Sequence, residues 1–208
     1  MKDLKPAILL FVIFTLICGG IYPAVVTGIA SVAFPKQARG SFITDQSGRE
    51  IGSALIGQPF SDPKYFWPRP SATPEFGQNP AGSSGSNAGP TNPAYLQTVA
   101  DRVAALRDTG ITGTVPADLV QASASGLDPH ITPESALVQI PRIAQARGLS
   151  EEAVRKLISQ HTEGRQLGFL GEPRVNVLLL NLALDGEGKG QKSHGSFKSL
   201  LSPKKQVK

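Results

Sequence analysis

Cysteine is nearly absent from this chain of 208 residues, occurring once, at Cys18. One cysteine excludes an intrachain disulfide and a cysteine-based metal centre. Histidine is almost as scarce: His130, His161 and His194 do not share metal-ligand spacing, so no bound metal is expected. Charge is missing altogether between Pro6 and Pro35. The excess of basic residues is also local. The net charge of +5 equals that of residues 186–208, where six lysines face Glu187 alone. The remainder is neutral, and the basic tail lacks the interleaved aromatics that stack on bases. A nucleic-acid partner is therefore not expected, and the tail reads as a disordered extension.

The uncharged run is the strongest signal present. Residues 7–34, AILLFVIFTLICGGIYPAVVTGIASVAF, exceed the ~20 residues that cross a hydrocarbon core of ~30 Å. A helix satisfies its own backbone polar groups there, which lipid cannot do. A cleaved signal peptide is the competing reading, with Lys2 and Lys5 as its basic region and residues 31–33 as a small-residue cleavage site. The run is longer than a signal-peptide core, so a retained anchor is expected. Gly19, Gly20 and Pro23 predict a bend or a close neighbouring helix. Lys2 and Lys5 before the span balance Lys36 and Arg39 after it, leaving orientation open.

Beyond the anchor the pattern is α+β with helix dominant: one soluble domain over residues 35–185, carrying a small β-hairpin or sheet. Residues 41–44 and 51–56 flank a turn at 45–48. Residues 65–67 form a short aromatic strand or turn, halted by Pro68 and Pro70. The Gly-, Ser-, Asn- and Pro-rich stretch 76–93 is a loop. Asn92 followed by Pro93 opens a helix carrying Leu96, Val99, Val103 and Leu106 to Gly110. A short helix is expected within 115–126. Another runs from Thr132 to Gly148, with Pro141 as an internal kink. Ser150 caps the next helix, with Val154, Leu157 and Ile158 inward. Residues 175–184 are apolar, and Asn176 as an N-cap favours helix over strand.

Chemistry is thinly signalled. The loop Ser83, Ser84, Gly85, Ser86 and Asn87 invites comparison with a phosphate cradle, but no Lys lies between Lys64 and Lys156 to complete a P-loop. Ser125, Asp128 and His130 suggest nucleophilic catalysis, giving the alternative of an anchored extracytoplasmic serine hydrolase. A nucleophile elbow needs Gly two residues before the Ser, and Ser123 stands there. Asp128 and His130 also suit a turn around Pro129. Trp67, Arg69, Pro70 and Ser71 present the sole Trp beside an Arg between two prolines, which stiffens a pair of residue types favoured at binding hot spots. The same Trp also suits the domain core, with Arg69 paired locally.

The motifs together are specific. Residues 65–72 (YFWPRPSA), 85–87 (GSN), 91–93 (TNP), 115–120 (VPADLV), 122–131 (ASASGLDPHI), 161–162 (HT) and 169–185 (FLGEPRVNVLLLNLALD, which includes Arg174) resemble the C subunit of the bacterial Kdp potassium-transporting P-type ATPase. The resemblance runs from the anchor to about Asp185. It implies a non-catalytic accessory subunit of a high-affinity potassium uptake pump, partnered by a channel-like subunit and an ATP-hydrolysing subunit. It also implies an inner-membrane location, with residues 1–6 cytoplasmic and the domain outside. Family members are described as catalytic chaperones that raise the ATP affinity of the hydrolysing subunit, so ATP enters through the complex rather than as a tightly bound cofactor. A direct nucleotide contact has been proposed for the family, and by position it maps to residues 83–87 and Gln139. This chain departs from the family pattern at Ser84 and Pro68, where Gly is usual. A domain outside the membrane cannot touch cytoplasmic ATP, so the implied coupling is a population shift transmitted through membrane contacts.

Overall fold

The computed structural model describes residues 3–44 and 48–187. Residues 45–47 of the turn expected at 45–48, the first two residues and the tail from 188 onward lie outside the described residues. The described residues form two compact units, the first ending at Ser53 and the second starting at Ala54.

The first unit opens with a continuous helical rod, Leu4–Ala33, of 30 residues, none of whose most apolar stretch is buried within the protein. At ~1.5 Å per residue it reaches about 45 Å, ample for a bilayer core. The rod consists of α1 (Leu4–Leu16), a π-helical turn (Ile17–Ile21) and α2 (Tyr22–Ala33). The irregularity falls where Gly19, Gly20 and Pro23 stand. Pro23 has no N–H for a four-residue bond, and Tyr22 N–H reaches back five residues to Ile17 O. The glycines admit this wider turn and the pyrrolidine ring follows it. A one-turn helix, α3 (Pro35–Ala38), follows. Strands β1 (Phe42–Thr44) and β2 (Glu50–Ser53) pair antiparallel, with a bulge between Ile43 and Thr44.

The second unit is α+β. A three-stranded antiparallel sheet has β5 (Arg174–Asn176) between β3 (His130–Ile131) and β4 (Thr162–Glu163). Around it lie α5 (Pro133–Leu137), α6 (Ile140–Arg147), α7 (Glu151–Gln160) and α8 (Val177–Glu187). Their apolar faces meet in a core containing Ile131, Ile140, Ile143, Val154, Val175, Leu178, Leu180 and Leu184. A satellite cluster joins α4 (Pro93–Asp108) through Leu106 to Ile111, Leu119 and Val120, with Trp67 and Val138 packed against it.

Caps explain the helix starts. Asn92 Oδ1 accepts from the N–H groups of Ala94 and Tyr95. Thr132 Oγ1 accepts from Ser135 N–H, and Ser150 Oγ from Ala153 N–H. Each satisfies a donor that the first turn leaves free.

Two expectations need correction, and a third, helix over 175–184 capped by Asn176, holds from Val177 on. The helix expected from Thr132 to Gly148 is two helices, because Pro141 sits in the first turn of α6 rather than kinking one rod. At that position its missing N–H costs no ladder bond. The helix expected within 115–126 shrinks to a single 3-10 turn, Ala117–Leu119. The backbone after it bonds across to neighbouring loops: Ser123 N–H donates to Pro70 O, and Ser84 N–H to Ser125 O. Residues 175–184 are both strand and helix. Asn176 ends β5 and caps α8, its Oδ1 accepting from Leu179 N–H at 3.1 Å.

Candidate functional site

The aromatic segment 65–71 leaves a bend at Tyr65 and belongs to neither sheet. Its backbone is paired by side chains instead. Phe66 N–H donates to Asn181 Oδ1 at 2.8 Å, and Asn181 Nδ2 donates to Phe66 O at 3.0 Å. One residue on, Trp67 N–H donates to Gln139 Oε1 at 2.8 Å, and Gln139 Nε2 donates to Trp67 O at 3.3 Å. One amide from α8 and one at the start of α6 thus clamp two successive residues, each imitating a neighbouring strand. Both amides are buried, Gln139 completely. A buried peptide left unpaired is costly, so the two residues fix the path of the segment.

A third buried polar group, Arg142, completes the seat. Its Nη1 donates to Tyr65 O at 3.0 Å and to Pro63 O, and its Nη2 to Gln139 Oε1 at 2.7 Å. The guanidinium lies 4.0 Å from the centre of the Trp67 ring, a cation–π stack. No carboxylate forms an ion pair with Arg142 among the described residues. Burial accordingly pulls its pKa down to about 10, with Asp62 opposing. Its Nε has no hydrogen-bond partner. Arg147, one turn on, donates to Lys64 O and Asp185 and lies over the Tyr65 ring. The Tyr65 hydroxyl bonds Asp185 at 3.0 Å. Burial pushes its pKa up to about 12, and the Asp185 carboxylate adds to the rise.

Trp67 is half-buried against the satellite cluster, its Nε1 donating to Asp62 O. Pro68, Arg69 and Pro70 follow along a shallow groove with Pro59, Phe60 and Gln78. Arg69 Nη1 meets Asp128 Oδ2 at 3.0 Å. Burial would raise the Asp128 carboxyl, but hydrogen bonds from His130 and from Arg69 hold it below its ordinary value. Ser71 Oγ knots the far end, donating to Gly126 O at 2.8 Å and accepting from Gln78 N–H at 2.9 Å.

The structure brings Arg69, Ser71, Asp128 and His130 together and leaves other candidates apart. Ser125 is exposed and its Oγ accepts from Leu127 N–H, with no hydrogen bond to His130. The His130 ring faces Asp128 instead. Arg174 is exposed and pairs with Glu163 at 2.9 Å. The loop 83–87 packs backbone to backbone on residues 123–126. A side chain at Gly85 would stand 2.7 Å from Ala124 O, so that glycine is there for close approach. Ser83 Oγ and Ser84 N–H both reach Ser125 O. Gln139 has both ends of its amide committed, Nε2 also donating to Ser135 O. Gly19, Gly20 and Pro23 lie in the apolar rod of the other unit.

Sequence reasoning missed Asn181, Arg142 and Arg147. A signal existed: Asn181 interrupts an apolar run, and Arg142 follows Gln139 at one-turn spacing on an inward face. Among the described residues no group of three or more acidic, His or Cys side chains is placed to hold a metal ion.

Comparison with known proteins agrees with the motifs. A family profile described as K+-transporting ATPase, c chain, matches residues 4–186. The potassium-transporting ATPase KdpC subunit of Geobacter sulfurreducens is 76% identical over 185 residues, covering 89% of this chain and 98% of its own length. That of Geobacter metallireducens is 73% identical with the same coverage. The KdpC subunit of Methylococcus capsulatus is 57% identical over 187 residues, again covering 89% and 98%. With a profile match across most of its length and relatives this similar, the chain belongs to the KdpC family, the accessory C subunits of potassium-transporting ATPases.

Proposed function

We propose that this subunit anchors through Leu4–Ala33, keeps its first residues in the cytoplasm, and holds its folded unit outside the inner membrane. There it assembles with the channel-like and ATP-hydrolysing subunits and biases the pump towards its high-ATP-affinity state. The span carries the anchoring, and Gly19, Gly20 and Pro23 are the residues suited to close packing on partner helices. The edge of segment 67–71 bearing Arg69 docks on the channel-like subunit. The clamp on that segment is the observation that carries this reading. Two buried amides and a buried guanidinium hold one short stretch rigid, and preorganisation of that kind favours recognition.

The coupling to ATP is indirect. Gln139 is wholly buried with its amide engaged, and Ser83 and Ser84 are tied to Ser125, so a direct nucleotide contact has little to work with. Binding energy that differs between two states of the pump is sufficient for a shift in ATP affinity. Protease shaving of intact spheroplasts tests the arrangement. Cleavage within residues 54–187 from outside is the expected result. Protection there, with cleavage only after lysis, refutes the topology and reopens direct contact with ATP.

A further inference from the structure

We infer that the hairpin between β4 and β5 is a docking finger whose apolar tip inserts into an uncharged, apolar pocket on the extramembrane surface of another subunit of the pump. This rests on the assembly reading above, and adds to it a second contact remote in sequence from segment 67–71.

The tip is built against the ordinary rules of a surface loop. Leu167 is 83% exposed, Phe169 69% and Leu170 47%. Three large apolar side chains within four residues are a patch rather than scatter. Their turn is tightly made: Gln166 N–H donates to Leu170 O at 2.8 Å, and Leu170 N–H returns to Gln166 O at 2.9 Å. Backbone φ is +53° at Leu167 and +84° at Gly168. Two consecutive positive values mark a primed turn, for which Asn-Gly is the usual pair. Leucine there is both strained and wetted, and strain of that kind concentrates at binding sites.

Charge and size identify the occupant. The stem carries Arg165 bonded to Glu172 at 2.6 Å and Arg174 bonded to Glu163 at 2.9 Å. Each cation has its own carboxylate, so the finger is neutral around an apolar point. That complements an apolar pocket with a neutral rim and has no attraction for an anionic lipid surface. A fluid bilayer also needs no fixed turn geometry, whereas a pocket does. The three side chains offer a few hundred Å² at most, well short of the ~800 Å² per partner of a self-standing interface. A second copy of this chain would not be held by it. A partner to which the chain is already tethered would, because tethering makes the second contact effectively intramolecular.

The test is photocrosslinking in cells expressing the whole pump, with Phe169→p-benzoylphenylalanine, and Arg155→p-benzoylphenylalanine on α7 as control. A crosslink from position 169 to another pump subunit, absent from position 155, is expected. Alongside it, Leu167→Ser with Phe169→Ser is expected to cause a several-fold loss of this chain from the detergent-washed complex, with unchanged thermal unfolding of the free chain. Crosslinks only to lipid or to a second copy overturn the inference, as does a complex that retains the double variant fully. If the unaltered chain fails to co-purify with the pump, the assembly reading fails too. If it co-purifies but position 169 stays silent, this inference alone falls.

Discussion

Gln139 and Trp67 are joined at both ends of one amide: the carboxamide oxygen accepts from the Trp67 N–H and its nitrogen donates to the Trp67 carbonyl. Arg142 fixes which end is which. A guanidinium only donates, so the atom facing Arg142 Nη2 at 2.7 Å must be the oxygen. Gln139 is therefore a molecular stand-in for a strand edge. Its oxygen serves a backbone donor and a cation at once.

That double duty makes Gln139→Ala costly. It strands a buried N–H and one donor of a buried cation, and leaves a cavity. A loss of about 2–4 kcal/mol is expected. The measurement is denaturant unfolding of the full chain in detergent, followed by fluorescence of Trp67, the only tryptophan. An unchanged midpoint would show that the amide contacts contribute nothing net.

Two ionisations give opposite pH signatures. Asp128 has a folded-state pKa below its ordinary value. Its contribution is present above the unfolded value near 3.8 and is lost as pH falls through the lower folded value. Asp128→Asn should therefore flatten the acid limb of the stability curve. Tyr65 runs the other way, with a pKa raised from 10.0 to about 12. Its contribution is complete below pH 10 and disappears as pH rises towards 12. Absorbance titration should show Tyr65 ionising near its raised value of about 12, as a phase that Tyr65→Phe removes.

Arg69→Ala removes the cation that faces Asp128, on the edge proposed to dock. Stability should fall by about 1 kcal/mol or less, since the pair is partly solvated. Potassium uptake at low external potassium should fall much further than that loss explains. Arg69→Lys should recover it poorly, because an ammonium lacks the planar fork. Wild-type uptake by the Ala variant would remove Arg69 from the docking surface.

Gly126 and Gly148 separate space from strain. Both have positive φ, +70° and +65°. At Gly148 a Cβ meets nothing, so Gly148→Ala should cost only about 1 kcal/mol. At Gly126 a Cβ would stand 2.6 Å from Thr73 Cγ2 and 2.7 Å from Ser84 O. Gly126→Ala should cost at least twice as much and loosen loop 83–87, read as faster proteolysis there. Equal midpoints for the two variants would contradict the packing described.

The elements that could be read from the chain are those with local causes. The rod at Leu4–Ala33 follows from a run without charge, and the starts of α4 and α7 from Asn92 and Ser150. Pro141 misled because a proline's meaning depends on where the helix begins, and α6 begins at Ile140, one residue before it. Residues 115–126 misled for another reason. Helical propensity was present, but Ser123 N–H and Ser125 O found partners in Pro70 and Ser84.

Composition and motif alone settle that this is a KdpC-type chain with one apolar helix long enough for a bilayer and an α+β unit beyond it. They act through hydrophobicity, capping and turn chemistry, which operate between residues close in sequence. Packing settles the rest: that segment 65–71 is clamped by Asn181, Gln139 and Arg142, that Asp128 holds Arg69, and that Leu167 and Phe169 stand unburied. Those pairings join residues some 59 to 115 positions apart. Only the folded chain brings such groups within the ~3 Å at which a hydrogen bond forms.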